Sequence, residues 1–294
     1  MAVIGFIGLG NMGGPMAANL VTAGHEVHGF DLVPAALEAA TAAGVTVADS
    51  AAAAVRDAEF VITMLPSGKH VLGLYADLLA AAKADALFID SSTIDVADAR
   101  QAAEAAATAG FPALDAPVSG GVGGAAAGTL TFMVGGGDAD FERAKPVLDI
   151  MGGKVIHCGQ AGAGQAAKIC NNMLLGITMI GTCEAFVLGE KLGLTHRALF
   201  DVMAVSSGQS WSVTTYAPVP EVVPASPANR DYQPGFAVPL MLKDLDLAKN
   251  AAEANAVYTE LGKQAAELYR RFSENGGSGL DFSAIINDIR ERSK

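Results

Sequence analysis

Charge is scarce in this chain. Only 17 % of its 294 residues are Asp, Glu, Lys or Arg, and they sum to −12. So few Lys and Arg argue against nucleic acid and against an anionic membrane surface, both of which need clustered cations. A small anionic substrate stays open, because a site can be locally positive on an acidic protein. The three cysteines, Cys158, Cys170 and Cys183, are scattered and odd in number, and no C-x-x-C occurs. That argues against a disulfide framework and fits a reduced, cytoplasmic setting. The five histidines form no H-E-x-x-H pattern, so no dedicated metal site is expected. No uncharged apolar run reaches the roughly 20 residues of a membrane span. The nearest, 171–183, is diluted by Gly176, Thr178, Gly181 and Thr182. The first residues lack a basic stretch and a cleavage site, so no signal or transit peptide is expected.

What is abundant points to a packed enzyme-sized chain. The hydrophobic set reaches 51 % and glycine numbers 34, enough for a large core and not the profile of a disordered chain. The length suggests about two domains. In the first half, short β-rich runs at 3–7, 26–30, 60–65, 87–89, 112–115, 130–134 and 154–158 alternate with helical stretches. Those helices fall near 12–23, 34–43, 50–57 and 94–108. Continuous apolar strands separated by helices predict a parallel sheet covered on both faces, hence a doubly wound, Rossmann-type α/β domain over 1–162.

The character changes after Gly164. Residues 165–192 read as one long helix, with no charge from Ile169 to Cys183. A helix apolar on every side is expected to be buried, between domains or in an oligomer interface. Further helical stretches near 195–205, 239–254, 259–273 and 282–290, with no strand after Cys158, predict an all-helical domain over 163–294. Its first part, 163–192, is the long interdomain helix. Five prolines between 216 and 235 mark a long loop.

Gly8-Leu9-Gly10-Asn11-Met12-Gly13 follows a strand and opens a helix, the context that a pyrophosphate-binding turn requires. Asp31 ends the second strand about 20 residues later, where a carboxylate takes the adenosine ribose hydroxyls. A 2′-phosphate there would be repelled, and residues 32–36 offer no cation to receive one, so NAD is expected over NADP. Leu65-Pro66 and Ser91-Ser92-Thr93 end strands at the same sheet edge. Ser92 and Thr93 suit the nicotinamide side, or equally a cap for a helix starting near Ile94.

Asp115-Ala116-Pro117-Val118-Ser119-Gly120-Gly121 runs from a strand into a glycine-rich stretch. It reads as an anion nest for a substrate carboxylate, or as a Gly/Ala linker, which 125–128 resembles. Lys168 is the only charge between Lys154 and Glu184, so it is expected to be enclosed, which suits proton transfer. Asn172 lies one turn on and could help hold the same oxygen. A lysine snorkelling from a helix start is the plainer alternative. Lys243 could reach cofactor or substrate, or simply pair with Asp246. Trp211, the one tryptophan, could line an apolar pocket or fill the helical core. His25, His28 and His157 read as structural.

These motifs, together with Gly164-Gln165-Ala166-Ala167-Lys168-Ile169-Cys170-Asn171-Asn172 and Lys243-Asp244-Leu245, resemble the β-hydroxyacid dehydrogenase family. The likeness covers nearly the whole chain, and within the family it is nearest to the branch that oxidises 3-hydroxyisobutyrate. The resemblance implies Lys168 as catalytic residue, with Asn172 beside it. It implies that Ser119, Gly120 and Asn172 bind substrate, and that Leu65, Pro66, Thr93 and Lys243 contact NAD. Gly121 and Trp211 are counted with the substrate residues. It further implies NAD-dependent oxidation of (S)-3-hydroxyisobutyrate to methylmalonate semialdehyde, as in valine breakdown, by a homodimer or homotetramer joined through the helical half. A tartronate or succinate semialdehyde reductase is the alternative within the family. A non-catalytic NAD-binding sensor is the alternative of another class.

Overall fold

The computed structural model describes all residues from Met1 to Lys294 and divides into two compact units, Met1–Lys168 and Ile169–Lys294. The first unit is built on β1 (Val3–Ile7), α1 (Gly13–Thr22), β2 (Glu26–Phe30), α2 (Pro34–Ala42), β3 (Thr46–Val47), α3 (Ala51–Val55) and β4 (Phe60–Thr63). It continues with α4 (Gly68–Ala81), β5 (Leu87–Asp90), α5 (Val96–Thr108), β6 (Ala113–Asp115), β7 (Val118–Ser119), α6 (Gly121–Ala127), β8 (Leu130–Gly135), α7 (Asp138–Met151) and β9 (Gly152–Gly159). The strands form one sheet in the order β3-β2-β1-β4-β5-β6-β8-β7, with β9 paired to β8.

Side chains on successive strand residues point to opposite faces. Phe60, Ile62, Leu87 and Ile89 therefore enter one apolar core, while Val61 and Phe88 enter another on the opposite side. Burial on both faces explains the unbroken apolar runs of β4 and β5.

The sheet departs from the all-parallel expectation beyond β6. β8 runs antiparallel to both β6 and β7. β6 and β7, with only Ala116 and Pro117 between them, therefore run in the same direction and pair with successive stretches of β8. Five elements of this unit escape the periodicity reading: the two-residue strands β3 and β7, and the helices α4, α6 and α7. The start of α5 also shifts. Asp95 is its N-cap and accepts from Ala97 N at 2.8 Å, so neither Ser92 nor Thr93 caps that helix.

α8 (Ala163–Lys191) runs from the first unit into the second. In the second unit its residues Met179, Ile180, Cys183, Phe186 and Val187 build the core. They do so with α11 (Val238–Ala254), α12 (Glu260–Glu274) and α13 (Ile285–Arg292), while α9 (His196–Met203) and α10 (Trp211–Thr214) come between α8 and α11 in the chain. The helix is not buried on every side: Leu174 is 60 % and Leu188 61 % exposed. Within 216–235 a single 3₁₀ turn, Pro227–Arg230, interrupts the loop.

The centre of the sheet carries its own test. Phe88 is fully buried and packs its ring against Tyr75 at 5.5 Å and Phe111 at 5.3 Å. Phe88→Ala should cost about 3–5 kcal/mol of unfolding free energy, measured by chemical denaturation.

Candidate active site

The phosphate-binding turn stands at the carboxyl end of β1. Gly8 adopts φ +94°, a conformation that side chains rarely take, and its N–H donates to Phe30 O at 2.9 Å. A Cβ at Gly10 would meet nothing within 4 Å, so no protein packing demands glycine there. Gly10 and Asn11 are exposed, and α1 begins without a side-chain cap. Asp31, just past β2, accepts from Leu9 N at 2.7 Å and from Val33 N at 2.8 Å. The carboxylate thus ties the turn to the end of β2. Leu32 and Val33, next in the chain, are exposed and uncharged.

Leu65 and Pro66 follow β4. Leu65 N donates to Ser92 Oγ at 2.8 Å. Ser92 is itself buried and donates its hydroxyl to Asp90 Oδ1 at 2.6 Å, so its side chain is structural and Thr93 is the half-buried hydroxyl beside it. Ser119 ends β7, and the stretch that follows is a helix rather than a linker. Gly120 (φ +135°) and Gly121 (φ +64°) lead into α6, which has no side-chain cap. Ala125 is fully buried and its carbonyl accepts from Asn19 Nδ2 at 2.8 Å.

Lys168 is enclosed, with 6 % of its surface exposed, and it stands in the second turn of α8 rather than at its start. Asn172 is 2 % exposed and lies one helical turn further on. Its Nδ2 donates to Asp244 Oδ2 at 2.5 Å, and its Oδ1 accepts from Asn171 Nδ2 at 2.9 Å. Asp244, 3 % exposed on α11, has no role in the sequence reading although it adjoins Lys243. Lys243 Nζ lies 3.7 Å from Asp244 Oδ1, and Asp246 bonds to Arg270. Trp211 is not a core residue: it is 48 % exposed and stacks on Tyr216 at 4.8 Å.

Two family models match the chain end to end. The NAD-binding domain of 6-phosphogluconate dehydrogenase matches residues 3–159, and the NAD-binding domain of NADP-dependent 3-hydroxyisobutyrate dehydrogenase matches 162–289. A probable 3-hydroxyisobutyrate dehydrogenase of Mycobacterium tuberculosis is 56 % identical over 99 % of both chains. The chain belongs to the 3-hydroxyisobutyrate dehydrogenase family. It is an NAD(P)-dependent dehydrogenase of that family. An NAD-dependent L-serine dehydrogenase of Pseudomonas aeruginosa is 49 % identical over 97 % of both chains. A solved structure of the M. tuberculosis 3-hydroxyisobutyrate dehydrogenase with L-serine superposes with a TM-score of 0.95 at 56 % identity, covering 99 % of each chain.

The first unit of this dehydrogenase fits a dinucleotide on its own geometry. The open space at Gly10 admits a phosphate to the backbone, and the uncapped start of α1 offers N–H groups and a positive dipole end. Behind that edge lie two buried carboxylates that the sequence reading left without a role, Asp90 and Asp115. They are register partners at the ends of β5 and β6. Asp115 Oδ1 accepts from Gly162 N at 2.7 Å and its Oδ2 from Gln165 N at 2.8 Å, which caps the start of α8. Burial pushes its carboxyl up from the usual range, while those N–H groups pull it back.

Asp90 is less well served. Its Oδ1 accepts from Thr63 Oγ1 at 2.7 Å and from both the N–H and the hydroxyl of Ser92, but its Oδ2 has no partner. Burial is the main cause that lifts its carboxyl from 3.8 to about 6. The fold therefore binds this proton more tightly than the unfolded chain. Its contribution to stability falls as pH rises from about 4 to 6, and is flat above. Asp90→Asn keeps an acceptor for the three donors without the charge. Its stability relative to the native chain should rise across that window, by up to about 3 kcal/mol. Denaturation midpoints at several pH values check this; a difference that stays flat with pH would show that ionising Asp90 costs the fold nothing.

Proposed function

We propose that this dehydrogenase oxidises (S)-3-hydroxyisobutyrate to methylmalonate semialdehyde with NAD, Lys168 carrying the proton. One observation supports the reading above the others: Lys168 is enclosed on α8, one turn from an Asn172 whose amide is held by the buried Asp244. In the proposed arrangement Ser119, Gly120 and Gly121 receive the substrate carboxylate at the start of α6, which has no side-chain cap of its own. Lys168 accepts the proton from the carbinol hydroxyl and stabilises the charge developing on that oxygen. Asn172 orients the same oxygen. Gly8, Leu9, Gly10, Asn11, Met12 and Gly13 hold the pyrophosphate, with Leu65, Pro66 and Thr93 toward the nicotinamide, and Lys243 also contacts NAD. When bound, the nicotinamide ring supplies the hydride acceptor.

A second reading has its own support. L-Serine and 3-hydroxyisobutyrate share a primary hydroxyl and a carboxylate, and differ at C2 by an ammonium or a methyl group. The relatives include an L-serine dehydrogenase and a structure holding L-serine. Trp211, counted with the substrate residues, supplies apolar surface that suits the methyl group better than a polar substituent without a partner. Trp211 also offers an aromatic face that a cation can use. The exposed Leu174 and Leu188 support homo-oligomerisation through the helical unit. Valine breakdown is the setting that this substrate implies, and the three free cysteines support a reduced, cytoplasmic compartment.

Initial rates at the NADH absorbance band, with 3-hydroxyisobutyrate, L-serine and glycerate, separate the readings. Preference for L-serine would move the second ahead, and silence on all three with NAD still bound would favour a sensor. Lys168→Ala should keep NAD binding and lose about 10²- to 10⁴-fold in kcat; near-native rates would remove Lys168 from the mechanism. Asp31→Ser should lower the NAD-over-NADP ratio of kcat/KM by about ten-fold or more, as one like-charge repulsion of about 1.4 kcal/mol is relieved. An unchanged ratio would show that cofactor choice is made elsewhere.

A further inference from the structure

Gln165 belongs to no assigned role, yet it is fully buried in the first turn of α8, three residues before Lys168. Its side chain makes two bonds of opposite polarity. Oε1 accepts from Ile94 N at 3.1 Å, and Nε2 donates to Ser92 O at 2.7 Å. Its own N–H donates to Asp115 at 2.8 Å. Ser92 joins onward to Asp90 through its hydroxyl and to Leu65 N. One continuous set of buried bonds therefore runs from the Leu65 turn through Ser92 to the helix that carries Lys168. The start of α8 has little room to shift: a Cβ at Gly164 would stand 2.7 Å from Asp115 O.

We propose that Gln165 is a positioning residue for the reaction, setting the distance between Lys168 and the 92–94 segment that flanks the nicotinamide side. The inference rests on the reading of Lys168 as proton carrier. Its physical basis is that a single planar amide bonds both a carbonyl and an N–H of one segment. It can do so at only one position of the helix along its axis, and a rise of about 1.5 Å per residue leaves no neighbouring register available. Misplacement by about 1 Å costs catalysis up to about 10²-fold even when every reacting group is present.

The test compares Gln165→Met, Gln165→Glu and Lys168→Met in the full chain, with NAD and whichever of 3-hydroxyisobutyrate and L-serine the native chain turns over. Gln165→Met fills the same space but makes neither bond. It should lose about ten- to a hundred-fold in kcat while KM for NAD stays within about two-fold, the signature of a transition-state alignment. Gln165→Glu, when protonated, has one donor and one acceptor at the right atoms. Its kcat relative to native should therefore recover as pH is lowered from about 9 to 6, which a defect of packing alone would not do. Native kcat in Gln165→Met, a matching rise of KM for NAD, or a Gln165→Glu ratio flat with pH would overturn the inference. If Gln165→Met does not fold, the pH profile of Gln165→Glu decides alone. Lys168→Met distinguishes the two failures: native rates in that variant, or a native chain silent on both substrates, sink the reading of Lys168 itself, and the role of Gln165 with it.

Discussion

The carboxylate of Asp115 meets the start of α8, and much of the molecule's chemistry hangs from that joint. Gly162 N and Gln165 N donate to its two oxygens at 2.7 and 2.8 Å. A helix start has N–H groups without intrahelical partners and a positive dipole end, so a carboxylate there satisfies donors and charge together. The same contact binds the last turn before the helix to the end of β6. The next 29 residues then carry Lys168, Asn172 and much of the core of the second unit on one continuous element.

Asp90 and Asp115 stand side by side in register, but the sheet treats them differently. Asp115 has donors on both oxygens. Asp90 has three donors crowded on one oxygen and none on the other. Burial is the main cause of Asp90's raised affinity for a proton, and the charge of Asp115 on the adjacent strand adds to it. Asp90 therefore holds a proton more tightly than a free carboxyl does. Its three donors are nevertheless what shape the Leu65–Ser92 corner, so a carboxyl that is costly to ionise is kept for geometry.

The phosphate-binding turn was legible because its glycines, strand and helix are consecutive, and 3–7 and 26–30 coincide with β1 and β2. Apolar runs likewise marked β4 and β5. α4 and α7 were missed because alanine and scattered charges blur their apolar periodicity, and β3 because two residues carry no period at all. The glycines after Ser119 read as a loop because intrinsic propensity disfavours glycine in helices, yet α6 packs the fully buried Ala125 and tolerates them. Trp211 reads equally as pocket lining or as core filling, and its half-exposed position removes the second. Among the candidate site residues, those within one motif could be read locally. Asp244 could not be paired with Asn172, because 72 residues separate them and only the packing of α11 on α8 joins them. Gln165 is hidden for the same reason, its partners lying 71 and 73 residues earlier.

The Asn172–Asp244 bond also limits how the site can be dissected. Asp244 is 3 % exposed, and the amide at 2.5 Å and the ammonium of Lys243 at 3.7 Å are its compensation. Hydrogen bonds to a charged acceptor are short and strong, and leaving such a charge unpaired costs more than the bond itself contributes. Removing Asn172 would therefore strand a buried carboxylate close to the proposed proton carrier and change the local field as well as the geometry. A lost rate in such a variant mixes two effects.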